Sequence, residues 1–133
     1  MKAIQFIFCL ILCFGSVTIL HSQKADSLSL FTELSKSNTE TQKIACHIKI
    51  ARYFMDRNAD VSVIHANKAQ QLAEKNNQDL SKAEANYILG EAYYNLEDLD
   101  NSSIHFLDAL SQYNSLKNDI GIGEAKSGLG KIA

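Results

Sequence analysis

Apolar residues recur along most of this chain at the spacing of one helix face. Over 40–56 the face carries Ile44, His47, Ile50, Ala51 and Phe54. Over 61–76 it carries Val63 or Ile64, then Ala66, Ala69, Leu72 and Ala73. Over 80–96 it carries Ala83, Leu89, Gly90 and Tyr93, and over 101–117 Ile104, Phe106, Ala109, Leu110, Tyr113 and Leu116. A shorter pattern at 24–36, with Leu28, Phe31 and Leu34 three apart, predicts a capping helix that Asp26 or Ser27 can start. Polar clusters between the faces predict the helix starts. These are Thr39 with Gln42 as a capping box, Asp60, Asp79 or Ser81 with Glu84, the acidic turn Glu97, Asp98 and Asp100, and Asp119.

The pattern repeats. Laid over itself with a 40-residue offset, the segment 60–93 matches 100–133 at ten positions, among them His65/His105, Ala69/Ala109, Glu84/Glu124, Leu89/Leu129 and Gly90/Gly130. A period in this range denotes a solenoid of helical hairpins, each burying its apolar face against its neighbours. The expected organisation is a capping helix at 24–37, repeats at 38–78 and 79–118, and an incomplete third at 119–133. In that last segment Leu129 and Ile132 lack a facing helix, which predicts an N-terminal part of a longer array. Small residues at 69, 90, 109 and 130 are expected where helices cross closely, and the first inter-helix turn is expected to be one residue shorter than the second.

Composition narrows the class to all-α. The chain has no proline and only six glycines, so it lacks the punctuation of a many-stranded fold. Its first 23 residues run from Lys2 through an apolar stretch to Gly15 and Ser16, with no acidic residue before Asp26. This is a secretory leader pattern, with cleavage expected between Leu20 and Lys24, although 3–20 is also long enough to stay as an anchor. The predicted location is therefore outside the cytoplasm, periplasmic or membrane-anchored. Without the leader 12 basic residues face 15 acidic ones, which excludes a polybasic nucleic-acid or lipid surface. Only Cys46 then remains, so no internal disulfide is expected.

Catalytic chemistry is not indicated. His65 and His105 recur through duplication and have no third ligand at metal spacing. Glu97, Asp98 and Asp100 lack the glycine and the distal glutamate of a calcium loop. Glu84 and Glu91 stand two turns apart on one face, and Ser102 and Ser103 neighbour His105 only in sequence. No catalytic residue, metal or cofactor is predicted, and the chain reads as no enzyme.

The residues resemble the tetratricopeptide repeat family in its long-period form. The resemblance covers about 40–133 and rests on Leu89-Gly90 with Tyr93, the turn Asp98-Leu99-Asp100, Phe106, Ala109-Leu110 and Tyr113. Ile50-Ala51 with Phe54, Ala69 and Leu129-Gly130 answer them in the flanking repeats. Ser62 and Ser102 stand where the family prefers Ala, and His47, Asn86 and Lys126 where it prefers a large apolar residue. The resemblance implies an α-α superhelix of antiparallel pairs whose first helices line a concave face for a peptide or protein partner. On that face it would place Ala45, Ile48, Arg52, Met55 and Asp56, then Glu84, Tyr87, Ile88, Glu91, Tyr94 and Asn95. Arg52, Tyr87 and Tyr94 are the expected contacts, because Tyr and Arg dominate binding at interfaces. Similarity to the exported form further implies the sensory part of a histidine kinase or transcription regulator. The alternative is a structural segment of a longer array with no groove of its own.

Overall fold

The computed structural model describes residue 24 and residues 26–133, so the leader expected at 1–23 lies outside the described residues. Helix α1 spans 26–35, and five longer helices follow: α2 (Glu40–Phe54), α3 (Ala59–Lys75), α4 (Asp79–Asn95), α5 (Leu99–Ser115) and α6 (Asp119–Ile132). No strand occurs among the described residues. Each helix packs on the next, which makes the all-α solenoid of antiparallel pairs that the repeat predicts.

Local chemistry sets the boundaries. Thr39 and Gln42 close the expected capping box, Gln42 N donating to Thr39 Oγ1 and Thr39 N to Gln42 Oε1. Asp98 caps α5 as expected by accepting from Asn101 N. Three other starts lie slightly upstream of the expected residues. Asn58 rather than Asp60 caps α3, and Asn118 rather than Asp119 caps α6. Gln78 precedes α4 without a side-chain cap, and Ser81 with Glu84 forms no box, because Ser81 bonds Gln78 while Glu84 reaches Arg52. The displaced aspartates sit in the first turn, where negative charge still favours the amides.

The last three turns are alike. Asn77, Glu97 and Lys117 each take a left-handed backbone, with φ of 56°, 61° and 53°. The following amide bonds back to the helix it has left, Gln78 N to Ala73 O, Asp98 N to Tyr93 O and Asn118 N to Tyr113 O. This is a Schellman-type stop at 20-residue intervals. The α2–α3 turn lacks it. Contrary to expectation this turn is one residue longer than the α4–α5 turn, four residues (55–58) against three (96–98), and the repeat is shorter because α2 has 15 residues against 17 in α4.

Close crossings hold the pairs together. A Cβ built on Gly90 would fall 2.6 Å from Phe106 Cδ1, so only glycine lets that fully buried ring lie across α4. Ser62 and Ser102, the departures from Ala, are buried and donate to the carbonyls of Ala51 and Gly90 at 2.8 Å. Each serine thereby staples the second helix of its pair to the first. Gly130, expected at a close crossing, does not occupy one here, because nothing lies within 4 Å of a Cβ built on it.

Three apolar expectations are corrected. Ile104, expected inside, is 54% exposed, and of the alternatives Val63 and Ile64 it is Val63 that packs on the core while Ile64 is 65% exposed, because both isoleucines stand two residues, over half a turn, from the buried Ser102 and Ser62. Leu116 is exposed at the C-cap of α5. Leu129 and Ile132, expected to face nothing, are half-buried. At the other end, α1 covers α2 and α3 through Phe31, whose ring lies 6.1 Å from that of Phe54 and 5.6 Å from His65, while Leu28 stays exposed.

Candidate functional site: the α2, α4 and α6 face

The solenoid is closed on one side and open on the other. Backbones of α2 and α4, and of α4 and α6, approach within 8 Å, whereas α3 and α5 do not. The face built from the first helices of the pairs is therefore the inner one. Every residue expected to contact a partner belongs to it, and the structure ties most of them to one another.

Arg52 on α2 pairs with Glu84 on α4, Nη2 to Oε1 at 2.6 Å. Both side chains are about a third or more exposed, so the pair contributes no more than about 1 kcal/mol. Near the far end of α2, Asn95 Nδ2 donates to Met55 O at 2.8 Å and to Asp56 Oδ1 at 3.2 Å. The Met55 side chain packs on the core beneath. Between α4 and α6, Lys131 Nζ meets both oxygens of Glu91 at 2.7 and 2.8 Å. Tyr87 Oη donates to Glu91 Oε1 at 3.3 Å, and Lys131 Nζ lies 5.9 Å from the Tyr94 ring centroid.

Burial divides the set. Ile48 and Ile88, expected on this face, are buried in the core, as is most of Glu91, which is only 6% exposed. Tyr87 is half-buried, and its ring packs on both apolar clusters and lies 5.9 Å from Phe106. Its hydroxyl is pushed up to about 12, first by burial and then by the Glu91 and Glu124 carboxylates. Tyr94 and Asn95 remain accessible and line a shallow hollow with Glu97, Leu99 and Lys131.

Two residues of the face are ones that the sequence did not assign to it. Lys131 and Glu124 come from α6, where Glu124 lies near enough to act electrostatically on Arg52, Tyr87 and Tyr113. Their signal was the repeat itself, since 131 and 124 stand 40 residues after 91 and 84.

A second polar set lies inside the pairs. Asn86, 1% exposed, accepts from Gln70 Nε2 at 2.7 Å and, through Oδ1, from His105 Nδ1 at 3.1 Å, while donating to Gln112 Oε1 at 3.0 Å. One carboxamide thus joins α3, α4 and α5. His105 also stacks on Tyr93, with centroids 5.4 Å apart. In the first pair, at the equivalent positions, His47 and His65 meet Nδ1 to Nδ1 at 2.9 Å, which requires opposite tautomers. Burial drives all three imidazoles below their usual range, His47 to about 4 with help from His65 and Lys68. Among the described residues no three metal-binding side chains converge. Ser102, bonded to Gly90 O, does not address His105.

The arrangement defines an all-helical solenoid with a polar and aromatic inner face, suited to recognition through hydrogen bonds, charge and ring contacts. No family model, curated protein or solved structure matches the chain.

Proposed function

We propose that the chain is a protein–protein interaction module, working outside the cytoplasm, whose α2, α4 and α6 face holds a peptide or partner segment. The observation that carries this reading is the close approach of α2, α4 and α6, with α3 and α5 apart. It makes a concave face on which Arg52, Glu84, Tyr94 and Asn95 are presented together. The tetratricopeptide resemblance supports the same face, and similarity to the exported form supports a sensory or interaction role in a histidine kinase or transcription regulator. One observation favours the alternative of a purely structural segment: the polar groups of this face are largely paired with one another.

Peptide display separates the two readings. Peptides selected on the intact chain should lose about 2 kcal/mol or more of affinity with Tyr94→Ala, and none with Ile104→Ala on the opposite side. Tyr87 is tested as Tyr87→Phe, because its ring supports the core and only its hydroxyl can be removed cleanly. Failure to select any binder, or equal loss at Ile104, would support the structural segment.

A further inference from the structure

The Lys131 contact has features beyond those of a surface ion pair. Glu91 offers a carboxylate whose side chain is 8% exposed, held in place by the Tyr87 hydroxyl on Oε1. A single nitrogen meets both its oxygens, at 2.7 and 2.8 Å. That geometry suits the compact charge of an ammonium, whereas a guanidinium would present two nitrogens. The Tyr94 ring stands 5.9 Å from the same nitrogen and adds cation–π attraction. Lys131 itself is 42% exposed, and the hollow lined by Tyr94, Asn95, Glu97 and Leu99 opens beside it.

We infer that Glu91, with Tyr87 and Tyr94, forms a recognition site for a primary ammonium group, filled within the chain by Lys131 and open to the lysine side chain of a partner segment. Lys131 is a built-in competitor. It is carried on α6, a helix of 14 residues containing four glycines, two of which pack against nothing within 4 Å. Glycine is a weak helix former, so the arm that holds Lys131 is the easiest of the long helices to displace. A partner lysine entering from the hollow would take the two carboxylate oxygens and release α6. The partner half of this inference rests on the concave-face reading; the ammonium site does not.

The test uses the full chain with Lys131→Ala, a change to the best helix former, and n-butylammonium as the probe. The variant should melt below the parent, and saturating butylammonium should raise its midpoint by about 3 °C or more. The parent and the double variant Lys131→Ala/Glu91→Gln should move by less than about 1 °C. Tetramethylammonium, which cannot donate hydrogen bonds, should do nothing. If circular dichroism shows α6 lost in Lys131→Ala, the titration is repeated in a Gly123→Ala/Gly130→Ala background that strengthens the helix. No rescue with α6 folded, or equal rescue of the double variant, overturns the site. A display-selected peptide whose affinity is unchanged when its lysines become norleucine overturns the partner half. Rescue in a chain that binds no peptide would leave the site standing and remove the concave-face reading instead.

Discussion

Gly90 and Gly130 occupy the same register in successive repeats, yet alanine at the two positions should have opposite effects. In a helix interior Ala is better than Gly by about 1 kcal/mol, through backbone entropy. At Gly130 nothing lies within 4 Å of the new methyl, so the gain is retained, reduced to about 0.5 kcal/mol by proximity to the end of α6. At Gly90 the methyl would fall 2.6, 2.7 and 2.8 Å from three atoms of the Phe106 ring. That ring is fully buried and has no room to retreat. Overpacking of this kind costs roughly 1 to 3 kcal/mol and outweighs the propensity gain, leaving a net loss of about 1 kcal/mol or more. Urea denaturation followed by far-ultraviolet circular dichroism reads both signs from the same transition. A stabilising Gly90→Ala would mean that α4 and α5 do not cross as described, and a destabilising Gly130→Ala would mean that something covers α6.

Acid should weaken the fold through the histidines. His47 has a folded value of about 4, below its value in the unfolded chain. Its contribution is complete above about pH 6.5 and is lost as pH falls toward 4. His65 and His105 are shifted the same way. The thermal midpoint should fall between pH 7.5 and pH 5, and His47→Phe should flatten the slope; an unchanged slope would show that the imidazole pair is not what titrates. The leader pattern predicts export with residues 1 to about 23 removed. Mass spectrometry of the protein made in a Gram-negative host should show that loss, and an intact chain in the cytoplasm would contradict it.

The architecture was legible because duplication writes it twice: Leu89-Gly90 and Leu129-Gly130, or Ser62 and Ser102, define the register without any knowledge of packing. Helix phase was less legible where apolar residues stand side by side. Val63 and Ile64 both fit an inward position, and only the staple at Ser62, one residue before Val63 and two before Ile64, decides for Val63. Caps were ambiguous for a similar reason, since Asn58 and Asp60, or Asn118 and Asp119, all suit a helix start. The inner face was legible as a face but not as a network. Its ion pairs join residues 32 and 40 positions apart, and charge alone does not reveal that Glu91 is buried while Glu84 is not. Asn86 looked like a departure from an apolar site, and its three partners come from two other helices.

Mapping a display-selected peptide by amide and side-chain chemical shifts on the isotope-labelled chain shows whether the α2, α4 and α6 face holds a partner. Perturbations should concentrate on Arg52, Glu84, Tyr94, Asn95 and Lys131, on three helices at once, with Ile64 and Ile104 unmoved. Perturbations confined to the α3 and α5 side, or scattered without a common face, would contradict the concave-face reading.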